Sequence, residues 1–144
     1  MDQNYNKTDC AELQTAAENA AYQPEQQPFS ALLDIQVLSA DENSAFGQLA
    51  YRKELTDLLG HMTGGAYNAL SDAVAGACAR ANGCTYVTQN CSMQYYVSTE
   101  EPDGMLYARA TLRHRGSRTC IVDVELTHAD GTVVSDGQFS YSKI

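Results

Sequence analysis

The sequence predicts a single α+β domain in which an antiparallel sheet is built around one long helix. Three observations predict it. Residues 64–82 carry seven alanines between Ala66 and Ala81 and run into Gly83, a natural helix C-terminal cap. After Gly83 the hydrophobic period switches to two and stays there through four strand-like runs. Before the helix, the stretch from Ala45 to Tyr51 alternates apolar and polar as a half-buried strand does. The order is strand, strand, helix, then four strands, and that segregation favours an antiparallel sheet over repeated βαβ units.

Each element has its own local reason. Residues 1–28 are polar and rich in Gln, Asn and Ala, and Pro24 and Pro28 close them off. A loose helix over residues 10–22 is expected there, an appendage to a domain spanning residues 29–144. From Phe29 to Leu38 apolar residues enter, and with residues 45–51 they are expected to form two strands of a hairpin broken at Asp41-Glu42-Asn43. The helix from Gly64 to Asn82 spans nearly 30 Å at about 1.5 Å per residue. Its small side chains let strands approach closely from nearly all sides. The later strands are expected at residues 85–96, 105–115, 118–128 and 132–141. Turn signals part them at Glu101-Pro-Asp-Gly104, Arg115-Gly-Ser-Arg118 and Asp130-Gly131. Leu106, Ala108, Ala110 and Leu112 share one face, and Cys120, Val122, Val124 and Leu126 share the facing one. A three-residue turn at 116–118 then sets Arg109 opposite Glu125 and Thr111 opposite Asp123.

Composition narrows the function classes. With 144 residues, 44% of them hydrophobic, the chain can bury one core and is too short for two ordinary domains. A formal charge of −9, from 18 acidic and nine basic residues, argues against binding nucleic acid or an anionic membrane and favours a small-molecule or protein partner. The sequence has no membrane-spanning stretch and no secretory-signal pattern at its first residues, so a cytosolic protein is expected. Five cysteines, Cys10, Cys78, Cys84, Cys91 and Cys120, show no Cys-x-x-Cys spacing, and His61, His114 and His128 are scattered. Free thiols are expected, and no metal or cofactor.

The residue that carries most chemical information is Asp72, a charge inside the small-residue run of the long helix. A carboxylate there is costly unless paired or used. The structural alternative is a carboxylate satisfied by Asn68, Ser71 or a strand hydroxyl. The same helix opens with Gly64-Gly65, and its first N–H groups lack partners and favour negative charge. A carboxylate base or nucleophile and a backbone oxyanion donor are together what hydrolysis at an acyl carbon requires. The two lie eight residues apart, about 12 Å along one helix. A single chain's pair therefore cannot readily serve one carbonyl, and if both act they come from two subunits with antiparallel helices. No Gly-x-Ser-x-Gly elbow, P-loop or dinucleotide glycine fingerprint offers a competing plan.

Taken together, the element order, the stretch Gly60-His-Met-Thr-Gly-Gly65 and Asp72 beyond it resemble the hotdog-fold acyl-CoA thioesterases, in the group of the phenylacetate-pathway and 4-hydroxybenzoyl-CoA enzymes. Further matches are Val87-Thr88, Tyr95-Tyr96, Gly116 with Arg118, and Asp130-Gly-Thr-Val-Val-Ser. The resemblance implies a curved antiparallel sheet wrapped around the helix. It also implies a homodimer or dimer of dimers, and an acyl-CoA or aroyl-CoA substrate. It matches Gly64 to the oxyanion donor, Asp72 to the nucleophile or general base, and Thr88 to a hydroxyl that helps place the attacking water. Gly65 and Asn68 join the expected substrate contacts. The family pattern Asn-x-x-Gly-x-x-His-Gly-Gly is altered: Asp57 stands for the asparagine and Thr63 for the histidine, with His61 two residues early. Either His61 or Asp57 takes over the polar role, or that role is weakened. Arg109, Arg113, Arg115 and Arg118 hold four of the nine basic residues. Arg115 and Arg118, flanking Gly116-Ser117, are the candidates for the nucleotide end of coenzyme A. The rival readings are a non-catalytic acyl-CoA or acyl-carrier-protein binding module and a purely structural oligomerisation domain.

Overall fold

The computed structural model describes residues 27–144; the helix expected at residues 10–22 lies outside them. The chain runs α1 (Pro28–Leu33), β1 (Gln36–Ala40), β2 (Ser44–Ala50), α2 (Gly64–Arg80), β3 (Tyr86–Tyr95), β4 (Met105–Arg115), β5 (Thr119–His128) and β6 (Val133–Lys143). Short 3-10 turns at Lys53–Leu55 and Glu101–Asp103 punctuate the connections. The six strands form one antiparallel sheet in the order β1-β2-β4-β5-β6-β3, with α2 packed across one face.

The apolar entry at Phe29 is a correction. Residues 28–33 form a helical turn rather than strand, because Pro28 pre-sets the first helical position and Asp34 stops the helix in the left-handed region at φ 57°. None of its residues is buried. The first strand begins only at Gln36, and the β1–β2 hairpin turns where Asp41 Oδ1 accepts the N–H groups of Asn43 and Ser44.

Register in the central sheet follows the expected faces. Arg109 pairs with Glu125 and Thr111 with Asp123, and Arg113 closes a 3.0 Å ion pair with Asp123. Leu106, Ala108, Ala110, Val122, Val124 and Leu126 are buried beneath α2 with Leu70, Val74, Ala75 and Cys78. At Gly47 a Cβ would collide with Val74 Cγ2, so the helix and β2 meet at a distance that only glycine allows.

Wrapping around α2 is incomplete. Its sheet side is sealed, but Gly64 and Gly65 are exposed, and Asn68, Ala69, Asp72 and Ala73 are half-buried along one strip. Beside that strip runs β3, an edge strand nearly exposed along its whole length. Val87, Tyr95, Tyr96 and Val97 stand out from it as large exposed apolar side chains.

The far end of α2 is closed by Arg115. Its guanidinium donates to the carbonyls of Ala79 at 2.8 Å and Cys78 at 3.3 Å, and to that of Glu42 at 3.2 Å, and lies over the Tyr86 ring. The Ala79 and Cys78 carbonyls belong to the last turn of α2, where the helix dipole favours a cation.

Burial, followed by the neighbouring Cys120, pushes the Cys78 thiol up to about 11, and burial raises Cys120 as well. Cys91 is exposed on β3. Alkylation at pH 8 followed by peptide mass spectrometry is expected to modify Cys91 well before Cys78 and Cys120, which should react only after denaturation.

Candidate active site

Two strands and the middle of α2 converge on Asp72. Thr88 and Tyr141 face each other across the β3–β6 ladder, and the register shift just after Thr88 is a bulge of the kind that re-aims side chains. The Thr88 hydroxyl donates to Asp72 Oδ1 at 2.7 Å, and the Tyr141 hydroxyl reaches the same oxygen at 3.2 Å and the Asp72 carbonyl at 3.3 Å. Tyr141 is fully buried. Burial, then the adjacent Asp72 charge, pushes its phenol far above its ordinary range, so it remains a neutral donor. The strand-hydroxyl bonds anticipated for a structural carboxylate are thus present. Both side-chain bonds fall on Oδ1, and the residue as a whole is half-buried.

Asn68 does not hold Asp72; its amide donates to Cys91 Sγ at 3.4 Å instead. A pocket of about 290 Å³ opens over this strip, lined by Phe29, Ser30, Gly65, Asn68, Asp72 and Ala73 among others. Arg80 lies back along the helix over Gly76. A Cβ there would be 2.7 Å from its Nη2. Its charge reaches far enough to act on Tyr141.

The second group gathers at the N-terminus of α2. Thr63 is the N-cap, its Oγ1 accepting the Ala66 N–H at 3.4 Å. Asp57 Oδ1 accepts the N–H groups of Leu59 at 2.8 Å and His61 at 3.1 Å. The His61 N–H in particular holds the Asp57 carboxyl below the usual range. His61 Nε2 lies 3.2 Å from Glu100. The altered positions of the family pattern therefore shape the loop: Asp57 closes its turn and Thr63 caps the helix. Gly64 is the first helical residue, with the Tyr95 ring 3.2 Å from where its Cβ would be and the Tyr95 hydroxyl donating to its carbonyl at 3.3 Å.

The third expected group lies at the opposite end of α2. Gly116 is in the β4–β5 turn, its N–H donating to the Thr119 carbonyl. Arg115 there is not the free cation the sequence suggested, being committed to the helix carbonyls; Arg118 stays exposed. The structure brings Asp72 and Thr88 together, keeps Gly64 on the same helix but separate, and holds the basic turn apart from both. Tyr141 was missed, and Tyr95, noted only within a matching dipeptide, had been given no role. Tyr141 lies on β6 at the far end of the chain, and the pairing of β6 with β3, which skips two strands in sequence, sets it beside Thr88.

The family model of the thioesterase superfamily matches residues 59–135, more than half of the chain and including α2 with both Gly64 and Asp72. The chain belongs to the thioesterase superfamily. Membership supports thioester hydrolysis as the general reaction, and the sheet and helix are those of the hotdog fold. Among solved structures, AziG of S. sahachiroi is 26% identical with a TM-score of 0.80, covering 83% of this chain and 98% of that one. A variant of the phenylacetic acid degradation protein PaaI from Thermus thermophilus is 25% identical with a TM-score of 0.76, covering 82% and 100%. The E. coli PaaI protein, at 22% identity, a TM-score of 0.80 and coverage of 92% and 96%, shares the fold. No curated protein matches the chain.

Two outcomes follow for the site's construction. Tyr141→Phe should lower unfolding free energy by about 1–2 kcal/mol, since it strips a buried donor from a carboxylate, as read by urea denaturation. Asp57→Asn, which can still close the turn through its amide oxygen, should lower the melting temperature less than Asp57→Ala. The depressed Asp57 carboxyl gives a sign as well. Its stabilising bonds are in place above its unfolded pKa and are lost as pH falls through the lower folded value, so the gap between Asp57→Ala and wild type should close in strong acid.

Proposed function

We propose that this protein hydrolyses an acyl-CoA or aroyl-CoA thioester to the carboxylic acid and free coenzyme A, at a site completed by a second copy of the chain. The observation that carries the reading is Asp72 itself. It is a carboxylate held through one oxygen by Thr88 and Tyr141, on a residue that lines a pocket along the open strip of the helix. In this reading Asp72 activates water or attacks the carbonyl, Thr88 orients it, and the Gly64 N–H receives the developing oxyanion.

Helix geometry supports the dimer. Gly64 and Asp72 share one helix and stand about 12 Å apart along it, while an oxyanion donor works at about 3 Å. Antiparallel packing of two α2 strips would set Gly64 of each copy near Asp72 of the other. The exposed β3 edge and its apolar side chains supply the rest of such an interface, and a ten-residue unpaired edge is a liability unless covered. A dimer of dimers is compatible with the same contact. Asp57, His61 and Thr63 then act on the reaction through the shape of the loop, and Arg118 with Gly116 remains the candidate for the nucleotide end.

The test is hydrolysis of short, medium, long and aromatic acyl-CoA thioesters, followed by loss of thioester absorbance, with Asp72→Asn alongside. Turnover should fall by at least about 100-fold in a variant that stays folded and dimeric. Thioester binding without turnover in the wild type would make the protein a binding module instead.

A further inference from the structure

Away from Asp72, a chain of buried polar side chains runs from the surface to the first turn of α2. Asp103 Oδ1 lies 3.8 Å from His128 Nδ1, and His128 Nε2 lies 2.9 Å from the Thr99 hydroxyl. That hydroxyl is 2.7 Å from the Tyr67 hydroxyl, which donates to the Val97 carbonyl at 3.2 Å. Tyr67, Thr99 and His128 are 3%, 0% and 7% exposed, so water does not compete for these bonds. Both hydroxyls and the imidazole can donate and accept, so every link of the chain can be satisfied at once.

Thr99 grips the start of α2 twice. Its carbonyl accepts the Met62 N–H at 2.9 Å, just before the helix, and its hydroxyl holds Tyr67, three residues after Gly64. Tyr67 in turn stacks on Tyr95 with centroids 5.7 Å apart, and Tyr95 packs on Gly64 and donates to its carbonyl. Stability alone does not call for this arrangement. Buried hydrogen bonds contribute only about 1 kcal/mol net each, and apolar side chains of the same shape pack as well or better. What a hydrogen-bonded chain adds is a fixed length and direction. An oxyanion donor needs that, since it must be held within about 0.5 Å of its working position.

We propose that Tyr67, Thr99 and His128 are positioning residues for the reaction: together they fix the N-terminus of α2, and with it the Gly64 N–H, against the sheet. The proposal rests on the thioesterase reading for its effect on rate, and on the protein alone for its effect on geometry.

The experiment compares wild type, Thr99→Val, Thr99→Ser and Tyr67→Phe in two measurements. One is steady-state hydrolysis of the best acyl-CoA found above; the other is ¹⁵N relaxation of the Gly64 and Gly65 amides. Thr99→Val and Tyr67→Phe should each lose about tenfold or more in kcat with KM nearly unchanged, and their Gly64 amide should become more mobile. Thr99→Ser should restore both. Unchanged kcat in hydroxyl-less variants that remain folded overturns the proposal, whatever happens to the melting temperature. So does an unchanged Gly64 amide. If Thr99→Val does not fold, Tyr67→Phe, which keeps the ring and removes only the hydroxyl, decides. If no thioester is turned over by wild type, the thioesterase reading fails separately, and the amide measurement still decides whether the chain fixes the helix.

Discussion

Everything in this molecule depends on how closely one helix lies against the sheet. Alanines along α2 and Gly47 on β2 remove the bulk that would hold them apart, and Val74 fills the space beside Gly47. Interiors packed to crystal-like density leave little freedom for the helix to slide or turn. Once its axis is fixed, its two ends and its middle fall in set places: the Gly64 end against Tyr95, the Arg80 end beneath Arg115, and Asp72 under the Thr88–Tyr141 pair.

The electrostatics are local and asymmetric. An acidic protein places a carboxylate in the middle of its helix, and the groups bonded to it are two hydroxyls rather than a salt-bridging cation. Hydroxyl donors orient a carboxylate without neutralising it, so its charge stays available for chemistry. Arg80 is held close enough for its field to be felt at Tyr141. Arg115 is committed elsewhere, to the carbonyls at the end of α2.

The sequence was legible wherever one residue type had a local consequence. The alanine run and Gly83 marked α2 to within two residues of its end, and the period-two alternation with the 116–118 turn put Arg109 against Glu125. Asp72 stood out because charge is rare in such a run. What stayed hidden was set by long-range pairing. Thr88 and Tyr141 meet at Asp72 because β3 crosses over to pair with β6, and nothing in either strand names its partner. Arg115 looked free because its acceptors are backbone carbonyls 36 and 37 residues away. The apolar residues after Pro28 resembled a strand, yet Phe29 and Leu32 face solvent in a short helix.

The two sides of α2 differ in how much change they can absorb. On the sheet side any added methylene must displace a neighbour, so that face is closed to drift. The open strip, with α1 and its exposed Phe29 beside it, has room for larger or differently shaped side chains without disturbing the core. A lineage built on this scaffold can vary the open strip by changing residues that lie outside its core. Selection for a new preference then need not be fought against selection for folding.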